Sequence, residues 1–271
     1  SYLGELAALA TSLTFSVGST MFTAAGRRLG SLVVNRTRLV IAVVFLSIAH
    51  QVVLGTLFPL DVAPERWLWL GLSGVVGLVL GDIFLFQAFV LVGPRLSMLM
   101  MSLAPIIAAL EAWVFLGETL TGGQIFGIAL TIAGIGWVVM EGNGQHRNDR
   151  DYGRGILLGL GGAIGQATGL VLAKNGLGGE FSPISANMIR MIAAIVVLWG
   201  ITFFQGQAKA TIQTLRNDPK GVLFTTGGAF LGPFLGVSLS LFAIQRVEVG
   251  VASTLTALPP VFLLPISYFV F

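Results

Sequence analysis

The chain has 271 residues, of which 10% are charged and 55% hydrophobic, with a mean hydropathy of +0.90. A soluble domain carries about 25% charge, so a water-soluble globule is excluded. The absence of cysteine excludes disulfides and thiolate metal sites. The formal charge of +3 lies mostly in short connections, which reads as membrane topology rather than nucleic-acid binding.

Successive apolar runs, each long enough to cross a hydrocarbon core of roughly 30 Å, predict nine helices. They cover about 3–25, 32–57, 67–92, 96–116, 122–141, 154–174, 183–204, 221–244 and 249–271. The runs lack the apolar/polar alternation of a barrel wall, so the fold class is an all-α integral membrane protein. Many of the 36 glycines sit inside these runs, as in Gly71–Gly81 and Gly155–Gly169, where small residues let helix backbones approach closely.

The first span carries Ser12, Ser16, Ser19 and Thr20; the second opens on Asn35 and Arg38. The third begins at Trp67 and Trp69, an interfacial belt, and carries Asp82, Gln87 and the rings of Phe84, Phe86 and Phe89. An ionised carboxylate such as Asp82 is expensive in a span unless it faces protein, water or a cation. It either binds a proton or a cationic part of a substrate, or is satisfied at the interface or by a basic neighbour. The fourth span holds Pro105, Glu111 and Trp113 and runs to Glu118. Glu111 reads as a protonatable cavity group or as the ion-pair partner of a buried base.

The polar interval Glu141–Gly155 follows the fifth span and divides the chain into 1–141, a linker 142–153, and 154–271. Beyond it come Gln166 and Thr168 on the sixth span and Asn187 and Arg190 on the seventh. A second polar interval, Gln205–Lys220, leads to Ser238, Ser240 and Gln245, and the last span holds Ser253, Thr254, Thr256, Pro259, Pro260 and Pro265. The hydroxyls and amides serve either as a polar lining or as interhelical hydrogen bonds. Arg38 and Arg190 either snorkel to an interface or grip a substrate carboxylate or phosphate in bidentate fashion. Pro105 and Pro260 mark gate hinges or fixed kinks. His50 and His146 fit no ligand spacing, so no metal and no cofactor are expected, with proton coupling the open exception.

The halves echo one another. Asn35 and Arg38 match Asn187 and Arg190 at an offset of 152 residues, and Gly81, Ala88, Leu103 and Pro105 match Gly236, Ala243, Leu258 and Pro260 at 155. Continuing that register puts Phe271 opposite Leu116, so the second copy stops before its own Gly-Glu and final helix. The chain also starts without an initiator methionine. The expectation is therefore a longer protein of ten spans, five per repeat. An odd number per repeat places the two copies in opposite membrane orientations, the inverted-repeat architecture of alternating-access transporters.

The five-span repeat, the Asn/Arg-bearing second span and the stretch SLAPIIAALEAWVFLGE (Ser102–Glu118), with its partner ALPPVFLLPISYFVF (Ala257–Phe271), resemble the EamA family of the drug/metabolite transporter superfamily. The resemblance implies a cavity between the halves, lined largely by spans one, three, four, six, eight and nine, and substrates among amino acids, other metabolites and drugs. It also implies cytoplasmic termini. The bases at Arg27, Arg28, Arg147, Arg150, Arg154, Lys209, Arg216 and Lys220 favour the opposite orientation.

The expected function is that of a multi-pass permease in a bacterial inner (plasma) membrane. It would be a secondary transporter, and most naturally an exporter, of a small metabolite, amino acid or amphipathic compound. It would act as a monomer or homodimer, with the lipid bilayer and a small-molecule substrate as its partners. No Walker A sequence for an ATP-driven pump is visible. The alternatives are an intramembrane enzyme using Asp82 and Glu111 as a carboxylate pair, and a channel or scaffold.

Overall fold

The computed structural model describes residues 2–115, 117, 119–142 and 149–263. The expectations for Glu118, His146 and Pro265, and for the Ser253 side chain, fall outside the described residues. The first half contains α1 (Leu3–Leu29), α2 (Ser31–Leu54), α3 (Pro64–Gly74), a π-helical stretch (Val75–Gly81), α4 (Asp82–Met101), α5 (Ala104–Phe115) and α6 (Gly122–Gly142). The second contains α7 (Asp149–Gly176), α8 (Pro183–Phe204), α9 (Ala208–Asn217), α10 (Pro219–Ala229), a second π-helical stretch (Phe230–Gly236), α11 (Val237–Arg246) and α12 (Val249–Thr256).

Among the described residues, eight helices are long and apolar enough to cross a membrane, and a ninth apolar helix, Val249–Leu263, is shorter. Spans three and eight are the composite helices Pro64–Gly93 and Pro219–Arg246. The sixth begins at Asp149, earlier than hydropathy places it, because Asp149–Arg154 adds polar turns that an apolar-run criterion does not count. The Gln205–Lys220 interval is largely helical too: α9 lies against α2, α8 and α10, with Thr211 buried beneath it.

Single residues set the sharp corners. Gly30, at φ 85°, joins α1 to α2 in one step, and Gly93, at φ 78°, breaks α4 so that span four starts at Arg95. Both are conformations that an L side chain adopts only with strain. Pro64 and Pro219 open α3 and α10, where the missing N–H costs nothing.

The packing is exchanged between the halves. α7 lies against α3, the first π-helical stretch, α4 and α5; reciprocally, α1 lies against α10, the second π-helical stretch, α11 and α12. The equivalent helices α2 and α8 touch each other, as do α5 and α12. Small residues allow this intimacy. A Cβ on Gly165 of α7 would stand 2.6 Å from the Cα of Gly81, and one on Gly169 would stand 2.9 Å from that of Gly77. Ser73 seals the contact by donating to the Gly169 carbonyl. The apolar core follows the same seams, with Leu39, Leu46, Met188 and Met191 packed where α2 meets α8. α6 stands apart at the periphery, with only 6% of its span buried.

Candidate functional site

Asp82 begins α4 directly below the first π-helical stretch and is buried. Its Oδ2 accepts from Nη2 of Arg38, and its Oδ1 accepts from Nε2 of Gln166 at 2.7 Å. The same Gln166 amide reaches the Gly77 carbonyl at 3.2 Å, where the helix widens. Three spans, two, three and six, thus converge on one carboxylate.

Arg38 is held on every side. Its Nε donates to Asn35 Oδ1 at 3.0 Å, one turn earlier on α2. Its guanidinium lies 4.9 Å from the Phe86 ring centroid and 5.8 Å from that of Phe22, within cation–π range. Snorkelling does not describe Arg38 or Arg190: both are buried inside the bundle. Arg36, unmarked by any motif in the sequence, is buried as well. It donates to Thr211 Oγ1 at 3.0 Å and to Gln207 Oε1 at 2.6 Å, tying α2 to the α9 region. The signal for it is the α9 segment, which hydropathy alone reads as a polar connection.

The second half repeats the plan without the carboxylate. Asn187 Nδ2 donates to the Pro233 carbonyl at 2.8 Å, inside the second π-helical stretch, and to Ser238 Oγ at 2.9 Å. Val237 stands where the first half has Asp82. Arg190 therefore faces no equivalent acid; among the described residues it makes no hydrogen bond, and its Nε is buried without a partner.

Two cavities flank this cluster. One, of about 110 Å³, is walled by Arg38, Asp82, Phe22, Phe86 and Phe89. The other, of about 100 Å³, is walled by Arg190, Ser102, Pro105, Ser240 and Pro259. Phe15, Met98, Met101, Gln166 and Val237 line both. The Met and Phe residues from spans one and four were not marked as lining by the sequence, because in an apolar run they are indistinguishable from lipid-facing residues.

Pro105 is buried in the first turn of α5, just after the helix is interrupted at Ser102–Leu103. Pro260 takes the matching place after the interruption at Ala257–Leu258. The two interruptions meet, Ser102 Oγ donating to the Ala257 carbonyl at 3.4 Å. Serines of α1 serve the carbonyls around the second break: Ser12 donates to Leu255 O at 2.5 Å and Ser16 to Pro259 O at 3.3 Å.

Other expected residues lie elsewhere. Glu111 is half-buried and accepts from Thr168 Oγ1 at 2.7 Å. Thr168 and Gln166 are two residues apart, about 200° around α7, so Glu111 and Asp82 meet different sides of that helix and do not form a pair. Gln87 is half-buried about 140° around the helix from Asp82 and lines neither cavity. Thr254 is exposed, bonds its own helix at Gly250 O, and lines a third cavity of about 500 Å³ with Leu120, Gln124 and Thr131. Gln245 is spent on the Phe181 carbonyl at 2.7 Å. Trp113 and Phe84 are exposed, whereas Phe86 and Phe89 are buried against each other. Among the described residues no group of acids and histidines could hold a metal ion. His50 is structural in its contacts: Nδ1 meets the Thr56 carbonyl at 2.5 Å and Nε2 meets Ser185 Oγ at 3.0 Å.

The profile of the EamA-like transporter family matches residues 2–140 and matches again over 153–271. The chain belongs to the EamA-like transporter family. No curated protein matches it. Membership of the EamA-like family makes it an integral, multi-pass membrane protein of a transporter family and not an enzyme. The two matched segments are the two halves whose packing is exchanged, as expected of an inverted-repeat fold.

Proposed function

We propose that this EamA-like protein is a secondary transporter that exports a small amphipathic compound by alternating access. The observation that supports this reading is the Arg38–Asp82–Gln166 cluster at the seam of the two halves, beside cavities walled by Met and Phe. A few convergent polar groups on otherwise apolar walls are what a small-molecule site requires. The interruptions of spans four and nine meet at the same place. Discontinuous helices at a repeat interface supply exposed backbone groups for a ligand and a point about which the halves can rock. Export is the direction that the family resemblance implies. Pro105 and Pro260 are the hinges on this reading, because each lies in the first turn of a helix segment that follows an interruption.

Proton coupling, on the same reading, falls to Glu111. Asp82 is engaged by a guanidinium, whereas among the described residues Glu111 is hydrogen-bonded by a hydroxyl alone, which leaves it able to exchange a proton as its exposure changes.

The test is counterflow into proteoliposomes. The panel contains neutral amino acids, organic cations, carboxylates, nucleosides, sugar phosphates and nucleotide sugars, each run with and without a pH gradient. Saturable accumulation of one class is the expected result. A non-saturable flux would point to a channel, and product formation without movement would point to chemistry. Acceleration by the gradient that disappears in Glu111→Gln is the expected mark of proton coupling.

A further inference from the structure

We infer that the cavity at Arg190 binds the carboxylate of a small compound with an apolar body, a substrate class for the transport reading on which this inference rests. Arg190, on α8, is 3% exposed, lines the cavity of about 100 Å³, and is the only charged side chain lining it among the described residues. A guanidinium presents five donors, and burying them unpaired is costly. Its Nε has no acceptor among the described residues.

The nearby acids do not supply one. Asp82 attracts Arg190 through space, but both its oxygens are occupied, one by Arg38 and one by Gln166. Glu111 is bonded to Thr168 on the other side of α7. Two buried guanidiniums therefore share one carboxylate, and the charge left over is positive. The sequence repeat explains why: Arg38 and Arg190 are equivalent, but the acid that neutralises the first has Val237 as its counterpart in the second half.

The rest of the cavity describes the remainder of the ligand. Its walls are mainly apolar, from Phe15, Met98, Met101, Leu170 and Val237, and its volume of about 100 Å³ suits a short aliphatic or single-ring body. A carboxylate matches the fork of a guanidinium with two parallel hydrogen bonds, and supplies the missing negative charge. An amide of the same shape supplies neither.

Thermal stabilisation of the purified, complete protein provides the test, with hexanoate and phenylacetate as probes, hexanamide and phenylacetamide as their neutral matches, and inorganic phosphate as a further anion. The acids should stabilise saturably and their amides should not. Arg190→Gln should weaken acid binding about ten- to a hundredfold, the range for losing a hydrogen bond to a charged group. Arg190→Lys keeps the charge without the fork and should lose several-fold.

Equal stabilisation by acids and amides in the unaltered protein overturns the proposal, which covers the case in which the variants do not fold. Unchanged acid binding in either variant that does fold also overturns it, as does a response to phosphate alone or to no acid. Counterflow of a neutral compound together with any of these results leaves the transport reading standing while removing the carboxylate. Absence of both counterflow and stabilisation removes both.

Discussion

At the scale of single residues, the Arg38–Asp82 pair has the clearest energetic consequence. Both partners are buried, and removing one from such a pair strands the other charge, at a cost of about 3–5 kcal/mol. Replacing both with apolar groups of similar volume is commonly close to neutral. Asp82→Leu is therefore expected to lower thermal stability sharply, whereas Arg38→Met combined with Asp82→Leu recovers most of the loss without restoring transport. Equal losses in the single and double variants would show that the pair does not act as a unit. Recovery of transport along with stability would show that its role is only structural. Asp82 itself was legible as an intramembrane acid; its partner was not, because Arg38 lies 44 residues earlier in a different helix.

At the scale of elements, the two π-helical stretches stand at equivalent places. Val75–Gly81 and Phe230–Gly236 are each seven residues long and are offset by 155, the same offset that aligns Gly81 with Gly236. Such widened turns concentrate at functional sites; here each offers a carbonyl to a side chain on a facing helix, Gly77 to Gln166 and Pro233 to Asn187. Pro64 and Pro219, at the same offset, open the two composite spans and would have strengthened the repeat in the sequence.

The close approach of α7 to this region depends on glycine for space. Gly165→Ala is expected to destabilise by about 1–3 kcal/mol through overpacking, because the new Cβ meets backbone atoms of Gly81 at 2.6 and 2.9 Å. Gly134→Ala in α6, with nothing within 4 Å, should be neutral or should stabilise the helix by up to about 1 kcal/mol. A comparison of unfolding midpoints in detergent checks this, and equal effects at the two sites would contradict the packing argument.

For the whole molecule, the halves are joined by exchanged helices and, besides the Arg36 contacts, by a partly exposed clamp. Asp218, in the second half, accepts from Arg28 Nε at 2.8 Å and Nη2 at 2.9 Å, and also caps α10 by accepting from the Gly221 N–H at 3.0 Å. The hydrogen bonds from Arg28, and then the one from the Gly221 backbone, hold the Asp218 carboxyl below its ordinary value of 3.8. A carboxyl depressed in the folded state adds stability above its unfolded value and loses it as pH falls through the lower folded value. Asp218→Asn should therefore lower the unfolding temperature slightly at pH 7, and the difference should shrink toward zero once pH falls below about 4. The effect should also weaken in high salt, since the pair is partly exposed. A difference that stays constant from pH 7 to pH 3 would show that the loss does not come from the charge of Asp218.

Hydropathy determined the membrane environment and the approximate spans, because the cost of placing polar groups in hydrocarbon is summed locally along each segment. The matched Asn35/Arg38 and Asn187/Arg190 starts and the aligned prolines determined the duplication. Packing decided the rest. Whether Arg38 and Arg190 reach an interface or enter the core depends on which helices cover them, and both are covered. Which arginine takes Asp82, and which stays unpaired, depends on side-chain distances between helices that no linear pattern contains. The widened turns at Val75–Gly81 and Phe230–Gly236 arise from backbone hydrogen-bond register, which the periodicity of apolar residues does not report. The α9 helix owes its form to contacts with α2, α8 and α10, and its polar sequence alone reads as a connection.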